Sequence, residues 1–243
     1  MHIIKLNATD STNSYLKDIW NTSLVEDYTV VTANYQTKGH GQMGTHWQSE
    51  ASKNLMCSVF KDSSEILIAD QFYISIVTSL AIIKALEKLQ IPKLNIKWPN
   101  DILSDQKKVC GILIENVIKT NFLEASIIGI GLNVNQTEFK NLPQASSLKS
   151  ITGKVYVIDE VLQYIMNYLK YYQNYLNRRD LKFLKTEYER YLFRKDKPST
   201  FKDTNGLAFS GFIKGIEKSG KLKVKLEDDV LVHYGFKEIE LLY

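Results

Sequence analysis

The apolar positions along the chain change their period several times, and each change predicts an element. After a short opening strand, Ser11-Thr12-Asn13 brings hydroxyl and amide side chains suited to a helix N-cap before a helix over 14–20. Residues 28–35 and 55–60 are rich in β-branched and apolar side chains and predict strands, with a glycine-rich loop to Trp47 between them. Between 68 and 89, Phe72, Ile76, Leu80, Ile83 and Leu86 return at three- and four-residue steps, which predicts an amphipathic core helix. Strands are expected over 94–98, 108–116 and 123–135, the last two joined by a turn at Lys119-Thr120-Asn121, and short connections imply antiparallel neighbours. Their near-continuous Ile, Leu and Val content suggests a sheet covered on both faces by flanking helices. Helical spacing resumes over 158–176 and 180–193, with Asp159 and Glu160 placed to favour a helix start.

The pattern breaks at Arg194-Lys195-Asp196-Lys197-Pro198. Short strands then alternate with turns at Asp203-Thr204-Asn205-Gly206, Lys218-Ser219-Gly220 and Glu227-Asp228-Asp229, which predicts a small β-barrel. The expectation is therefore an α+β chain with a larger unit over 1–195 and a small barrel over 196–243.

Composition narrows the function classes. At 44% hydrophobic and 24% charged, the 243 residues are ordinary globular material rather than a disordered segment. Thirty-one basic against 27 acidic side chains leave a net charge of +4, and residues 196–243 carry eight Lys against eight Asp plus Glu. Neither figure is the basic footprint of a general nucleic-acid binder. Cys57 and Cys110 stand far apart among apolar neighbours, which favours a reducing compartment over a disulfide or a zinc site. The apolar stretch 72–85 is broken by Ser75, Thr78, Ser79 and Lys84, so no membrane span is expected and a cytoplasmic location is.

Two segments carry candidate chemistry. Gly39-His40-Gly41-Gln42-Met43-Gly44 has GxGxxG spacing but leads into a strand, whereas a dinucleotide fingerprint must open a helix. A protein-kinase loop does lie between strands, but the chain has no HRD and no DFG to complete it, which makes that option weaker still. A loop whose backbone approaches an anion remains, beside the plain alternative of a hairpin tip. Lys97-Trp98-Pro99-Asn100-Asp101 sets a cation, an amide and a carboxylate at a strand end, able to hold a nucleotide and its metal or simply to form a turn. Lys108 opens an apolar strand and reads either as a snorkelling end residue or as a functional cation, since a turn at Ser104-Asp105-Gln106-Lys107 would bring it near Asp101.

Five ordered blocks together resemble the biotin–protein ligases. They are Asp10-Ser11-Thr12-Asn13, Tyr35-Gln36 with the glycine loop ending at Trp47, Lys97-Trp98-Pro99-Asn100-Asp101, Lys108 to Glu115, and Gly129-Ile130-Gly131-Leu132-Asn133-Val134-Asn135. The resemblance covers about residues 1–195 and implies a catalytic domain related to class II aminoacyl-tRNA synthetases, with the tail as an SH3-like barrel. It implies biotin contacts from Ser11, Thr12, Asn13, Gln36, Gly39, His40, Gly41, Gln42, Lys108, Gly129 and Gly131. ATP contacts are implied at Gln42, Thr45, Trp47, Lys97, Asn100, Asp101 and Asn133, with Asp101 as a magnesium ligand and Lys108 as the catalytic cation.

The implied reaction is formation of biotinyl-5'-AMP followed by transfer to a lysine of a biotin carboxyl carrier protein, by a monomer or homodimer. Lipoate–protein ligases share the fold and are the alternative. Some biotin ligases are also DNA-binding repressors, but Asp10 lies only nine residues in, so no helix-turn-helix and no DNA binding are expected. The loop departs from the arginine-rich form associated with the family by carrying His40, Gln42 and Thr45.

Overall fold

The structure is a computed structural model describing residues 2–120 and 122–243. A seven-stranded sheet contains β1 (Ile3–Thr9), β2 (Val30–Gln36), β3 (Leu55–Asp62), β4 (Leu94–Lys97), β5 (Asp101–Ser104), β6 (Lys107–Lys119) and β7 (Phe122–Leu132) in the order β1-β2-β3-β7-β6-β5-β4. β1 and β2 run parallel and the other neighbours antiparallel, so the sheet is mixed. The parallel pair needs a crossover, which α1 (Thr12–Thr22) supplies. Of the turn expected at 119–121, Asn121 lies outside the described residues.

α2 (Phe72–Lys88), α3 (Leu148–Thr152), α4 (Ile158–Asn177) and α5 (Leu181–Arg190) complete the helices. α2 is buried nearly all round rather than on one stripe, because it packs against β4, β5 and β6 as well as α4 and α5. Its buried Thr78 hydroxyl is satisfied within the helix by donating to Ile74 O at 2.8 Å. By length and composition α2 with its preceding turn could cross a membrane, yet 72% of its apolar window is buried in the protein core. The opposite face of the sheet is covered differently from the even layering expected. There α1 packs a small cluster of Leu16, Val31, Phe60, Ala125 and Ile127, and the neighbouring floor carries glycines instead of large side chains.

Several boundaries differ from the periodicity. β5 was hidden behind the Pro-Asn-Asp turn signal, since only four residues separate that turn from the next. The strand expected to reach residue 135 ends at Leu132, because the Asn133 and Asn135 amides bond to Val109 O and Lys53 O. α3 is a single short helix capped by Ser147, whose hydroxyl accepts from Ser150 N at 3.1 Å.

The tail forms a second sheet from β8 (Pro198–Asp203), β9 (Ala208–Ile216), β10 (Leu222–Leu226), β11 (Leu231–Tyr234) and β12 (Ile239–Leu242), in the order β11-β10-β9-β8-β12. The expected barrel is not closed: among the described residues β11 and β12 each pair on one side only. The segment between them turns inward, and Phe236 packs on Trp98 and Phe72 at ring-centroid distances of 5.4 and 6.0 Å. The same seam is held by Trp98 Nε1 donating to Gly220 O at 2.8 Å and by buried Asp70, which faces Lys218 at 2.8 Å and Arg179 at 3.1 Å. One apolar cluster runs from α2 and α4 into Phe201, Ile213, Leu222 and Val224 of the tail.

Candidate active site

A cavity of about 340 Å³ opens on the glycine-lined face of the large sheet. The start of α1 shapes one end. Ser11 takes the N-cap position, but its own hydroxyl does not cap the helix; the Thr12 amide instead donates to Gln36 Oε1 at 2.7 Å, from the end of β2. Hydroxyl and amide side chains expected to cap the helix are thereby freed for other contacts. The Thr12 hydroxyl lies 3.1 Å from Gln36 Oε1 and 2.7 Å from the hydroxyl of Ser58, and Ser58 lies 2.5 Å from Asn13 Oδ1. Asn13 Nδ2 donates to Glu115 Oε2 at 2.6 Å and more weakly to Leu113 O at 3.4 Å. Thr12, Asn13 and Ser58 are all essentially buried, where every polar atom needs a partner.

The glycine loop folds as a tight hairpin. Gly41 N donates to Thr45 O at 2.6 Å and Trp47 N to Gly39 O at 3.0 Å, so two of the amides offered to an anion are spent inside the loop. Gly44 adopts φ +86°, a conformation that other residues rarely tolerate. The hairpin delivers Trp47 onto β7, where a Cβ on Gly131 would stand 2.5 Å from its indole ring. Two residues earlier, a Cβ on Gly129 would stand 2.5 Å from Asn13 Oδ1. Both glycines thus make room for this chain's own side chains, a role the sequence left open beside ligand approach.

The far end of the floor is charged. β5 and β6 form the hairpin foreseen at residues 104–107, and Lys108 Nζ reaches Asp101 Oδ1 at 2.7 Å. Lys108 Nζ also lies 5.9 Å from the centre of the Trp47 ring. Asn100 is anchored by donating Nδ2 to Ile112 O at 2.8 Å. In order along the floor stand a neutral hydrogen-bonding cluster, an aromatic plate and an ion pair.

The cavity brings together Ser11, Thr12, Asn13, Gln36, His40, Gly41 and Gln42 with Thr45, Trp47, Asn100, Asp101, Lys108, Gly129 and Gly131. Three residues singled out in the sequence do not line it. Gly39 lies behind Trp47 and Gln36. Lys97 faces an adjoining cavity of about 660 Å³ between the two sheets, with its Nζ 4.6 Å from the Tyr243 ring, and burial lowers its pKa. Asn133 lines a third cavity of about 300 Å³ with Trp47 and Lys108; its Nδ2 donates to Ser146 O and its Oδ1 is buried without a hydrogen-bond partner among the described residues. Gln42 borders the first two cavities.

Sequence reasoning missed Ser58, the role of Glu115, and Lys237, which reaches the cavity from the tail. Ser58 left a signal, as a lone hydroxyl in the otherwise apolar run Leu55-Met56-Cys57-Ser58-Val59-Phe60. Lys237 left none. Cys57 also lines the cavity, and burial pushes its thiol up to about 12, which keeps it protonated and unreactive near neutral pH.

Comparison with known proteins agrees with this geometry. The chain is 28% identical over 247 residues to the bifunctional ligase/repressor BirA of Bacillus spizizenii, covering 99% of this chain and 74% of that protein. It is 31% identical over 143 residues to the biotin--[acetyl-CoA-carboxylase] ligase of Mycobacterium tuberculosis, covering 58% of this chain and 52% of that one. Its fold matches the biotin protein ligase from Aquifex aeolicus solved in complex with biotin and ATP, with a TM-score of 0.83, 27% identity and coverage of 99% and 98%. The model of the biotin/lipoate A/B protein ligase family matches residues 6–133, more than half of the chain, and the chain belongs to that family.

Proposed function

We propose that the protein is an ATP-dependent ligase that activates biotin as biotinyl-5'-AMP and transfers it to a lysine of a biotin carboxyl carrier protein. The observation that carries this reading is one floor bearing a neutral polar cluster at one end and the Lys108–Asp101 pair at the other, in a chain similar along its whole length to a ligase solved with biotin and ATP. The cluster of Ser11, Thr12, Asn13 and Gln36, backed by the buried Ser58, offers donors and acceptors without charge, which suits a cyclic urea. The dithiolane of lipoate has nothing to offer those groups, and the polar floor therefore favours biotin over the lipoate alternative.

Two displacements follow. The biotin carboxylate attacks the α-phosphate of ATP and pyrophosphate leaves; an acceptor lysine amine then attacks the acyl carbon and AMP leaves. Lys108 stabilises charge on the phosphate oxygens, and Asp101 keeps it aimed into the cavity at 2.7 Å. Trp47, Asn100, Thr45 and Gln42 border the nucleotide end, while Lys97 and Asn133 face the adjoining cavities. The hairpin loop with His40 covers the mixed anhydride and limits its hydrolysis.

Among the described residues no three His, Cys, Asp or Glu gather to bind a metal. Asp101, beside the nucleotide end of the cavity, is the residue that would hold a magnesium ion brought with ATP, and such an ion would neutralise charge on the phosphates. The catalytic unit over 1–195 is of the class II synthetase type and the tail over 196–243 an SH3-like unit. The enzyme acts in the cytoplasm as a monomer or homodimer, and the balanced charge of the tail, eight Lys against eight Asp plus Glu, supports a reading in which the tail does not bind DNA. Titration with biotin by calorimetry, with and without ATP, tests the reading, together with biotin-dependent pyrophosphate exchange; exchange driven by lipoate and not by biotin would refute it.

A further inference from the structure

We propose that Glu115 is a positioning residue whose carboxylate sets the direction of the hydrogen bonds from Asn13 to Thr12, so that Thr12 presents acceptor lone pairs to the N–H groups of a cyclic urea. The inference rests on the biotin reading above and adds a residue outside the cavity lining. Glu115 sits on β6 opposite Ile127 of β7, two residues beyond Leu113, whose partner is Gly129.

The direction follows from counting protons. One side of the Asn13 amide faces Glu115 Oε2 at 2.6 Å and Leu113 O at 3.4 Å, two groups that only accept. That side must be the NH2, and its two hydrogens are spent there. Oδ1 is then turned against Gly129 and towards Ser58, 2.5 Å away. An amide oxygen cannot donate, so the single proton of the fully buried Ser58 goes to it. With that proton spent, Ser58 has none left for the Thr12 hydroxyl 2.7 Å away, and the one Thr12 proton is shared between Ser58 Oγ and Gln36 Oε1 at 3.1 Å. Thr12 then keeps lone pairs for a ligand. Gln36 is oriented separately: its Oε1 accepts from the Thr12 amide, which leaves Nε2 as a donor on the side of Gly39.

Without the carboxylate, the Asn13 amide can flip and the chain can run the other way. Asn13 would donate to Ser58, Ser58 to Thr12, and Thr12 to Gln36 Oε1 at 3.1 Å. Thr12 would then accept from Ser58 and have less to offer a urea N–H. Nothing in this chain of contacts touches the ion pair of Lys108 and Asp101.

The test is calorimetric affinity for biotin and for ATP, measured on the full chain with thermal midpoints recorded for each variant. Glu115→Leu should weaken biotin about tenfold or more, the size of a lost charge-assisted hydrogen bond, and leave ATP within about twofold. Glu115→Gln, which retains an acceptor for Asn13, should recover biotin affinity to within about threefold. Combining Glu115→Leu with Asn13→Ala should be no worse than Asn13→Ala alone, because the carboxylate acts only through that amide. Glu115→Met, which keeps the length of the side chain without a carboxylate, should give the same biotin-only loss and carries the test if Glu115→Leu does not fold. Equal losses for ATP, additive losses in the double variant, or unchanged biotin affinity in Glu115→Leu or Glu115→Met would overturn the inference. A wild-type protein that does not bind biotin would instead overturn the functional reading on which it rests.

Discussion

Removing the side chain of Lys108 should separate stability from activity. In Lys108→Ala the lost partner is Asp101, whose Oδ1 lies 2.7 Å from Lys108 Nζ; the two side chains are 34% and 17% exposed. A pair of that kind stays partly in water, and exposed pairs contribute about 0–1 kcal/mol, so the stability loss should be about 1 kcal/mol. The effect on chemistry is far larger. A fixed donor aimed at developing charge in a sheltered site is worth about two to four orders of magnitude in rate. Rapid-quench measurement of biotinyl-AMP formation in a single turnover isolates that step from acceptor binding, and urea unfolding of the same preparation gives the stability. Lys108→Arg should recover only part of the rate, since a planar guanidinium places its charge differently from an ammonium. If folded Lys108→Ala forms adenylate within about threefold of wild type, the cation has no role in the first displacement and the assignment fails.

Three further outcomes are expected. A Cβ in Gly131→Ala would stand 2.5 Å from the Trp47 ring against 3.2 Å in Gly111→Ala, so the first should raise the KM for ATP several-fold and shift tryptophan emission, and the second should do so much less; equal effects would break the link to Trp47. Gln42→Arg adds a charge at the junction of two cavities and should slow release of pre-formed biotinyl-AMP several-fold in stopped flow, with a salt dependence absent in the wild type. Stability should fall at alkaline pH: the folded state holds the Cys57 proton up to about 12 against a usual 9.0, so its contribution is complete below pH 9 and is lost as pH rises towards 12. Cys110 and Tyr188, also raised by burial, act in the same direction, while partly buried Lys97, lowered, opposes them. Urea midpoints that stay level from pH 8 to about 11 would contradict this linkage.

How much of the site could be read in advance depended on how local its causes are. The loop at Gly39-His40-Gly41 and the Pro99 turn announce themselves because backbone freedom is a property of single residues. The meeting of Lys108 with Asp101 was legible for a related reason, as one hairpin of adjacent strands brings them together. Asn13 and Glu115, 102 residues apart, meet only because β6 and β7 pair in one register and α1 docks over them. Lys237 borders the cavity only because the tail sheet packs where Trp98 and Phe72 receive Phe236.

By itself the sequence determined the periodic elements, the mixture of helix and strand and the ordered blocks that mark the family, since each is written in neighbouring residues. Tertiary structure decided that α2 is enclosed rather than amphipathic, that the second sheet stays open, and that Gly129 and Gly131 yield their space to Asn13 and Trp47. It also decided that Asn133 and Lys97 face adjoining cavities. The physical reason is that a residue's period reports which face it occupies, whereas what fills the space opposite that face depends on packing between segments far apart in the chain.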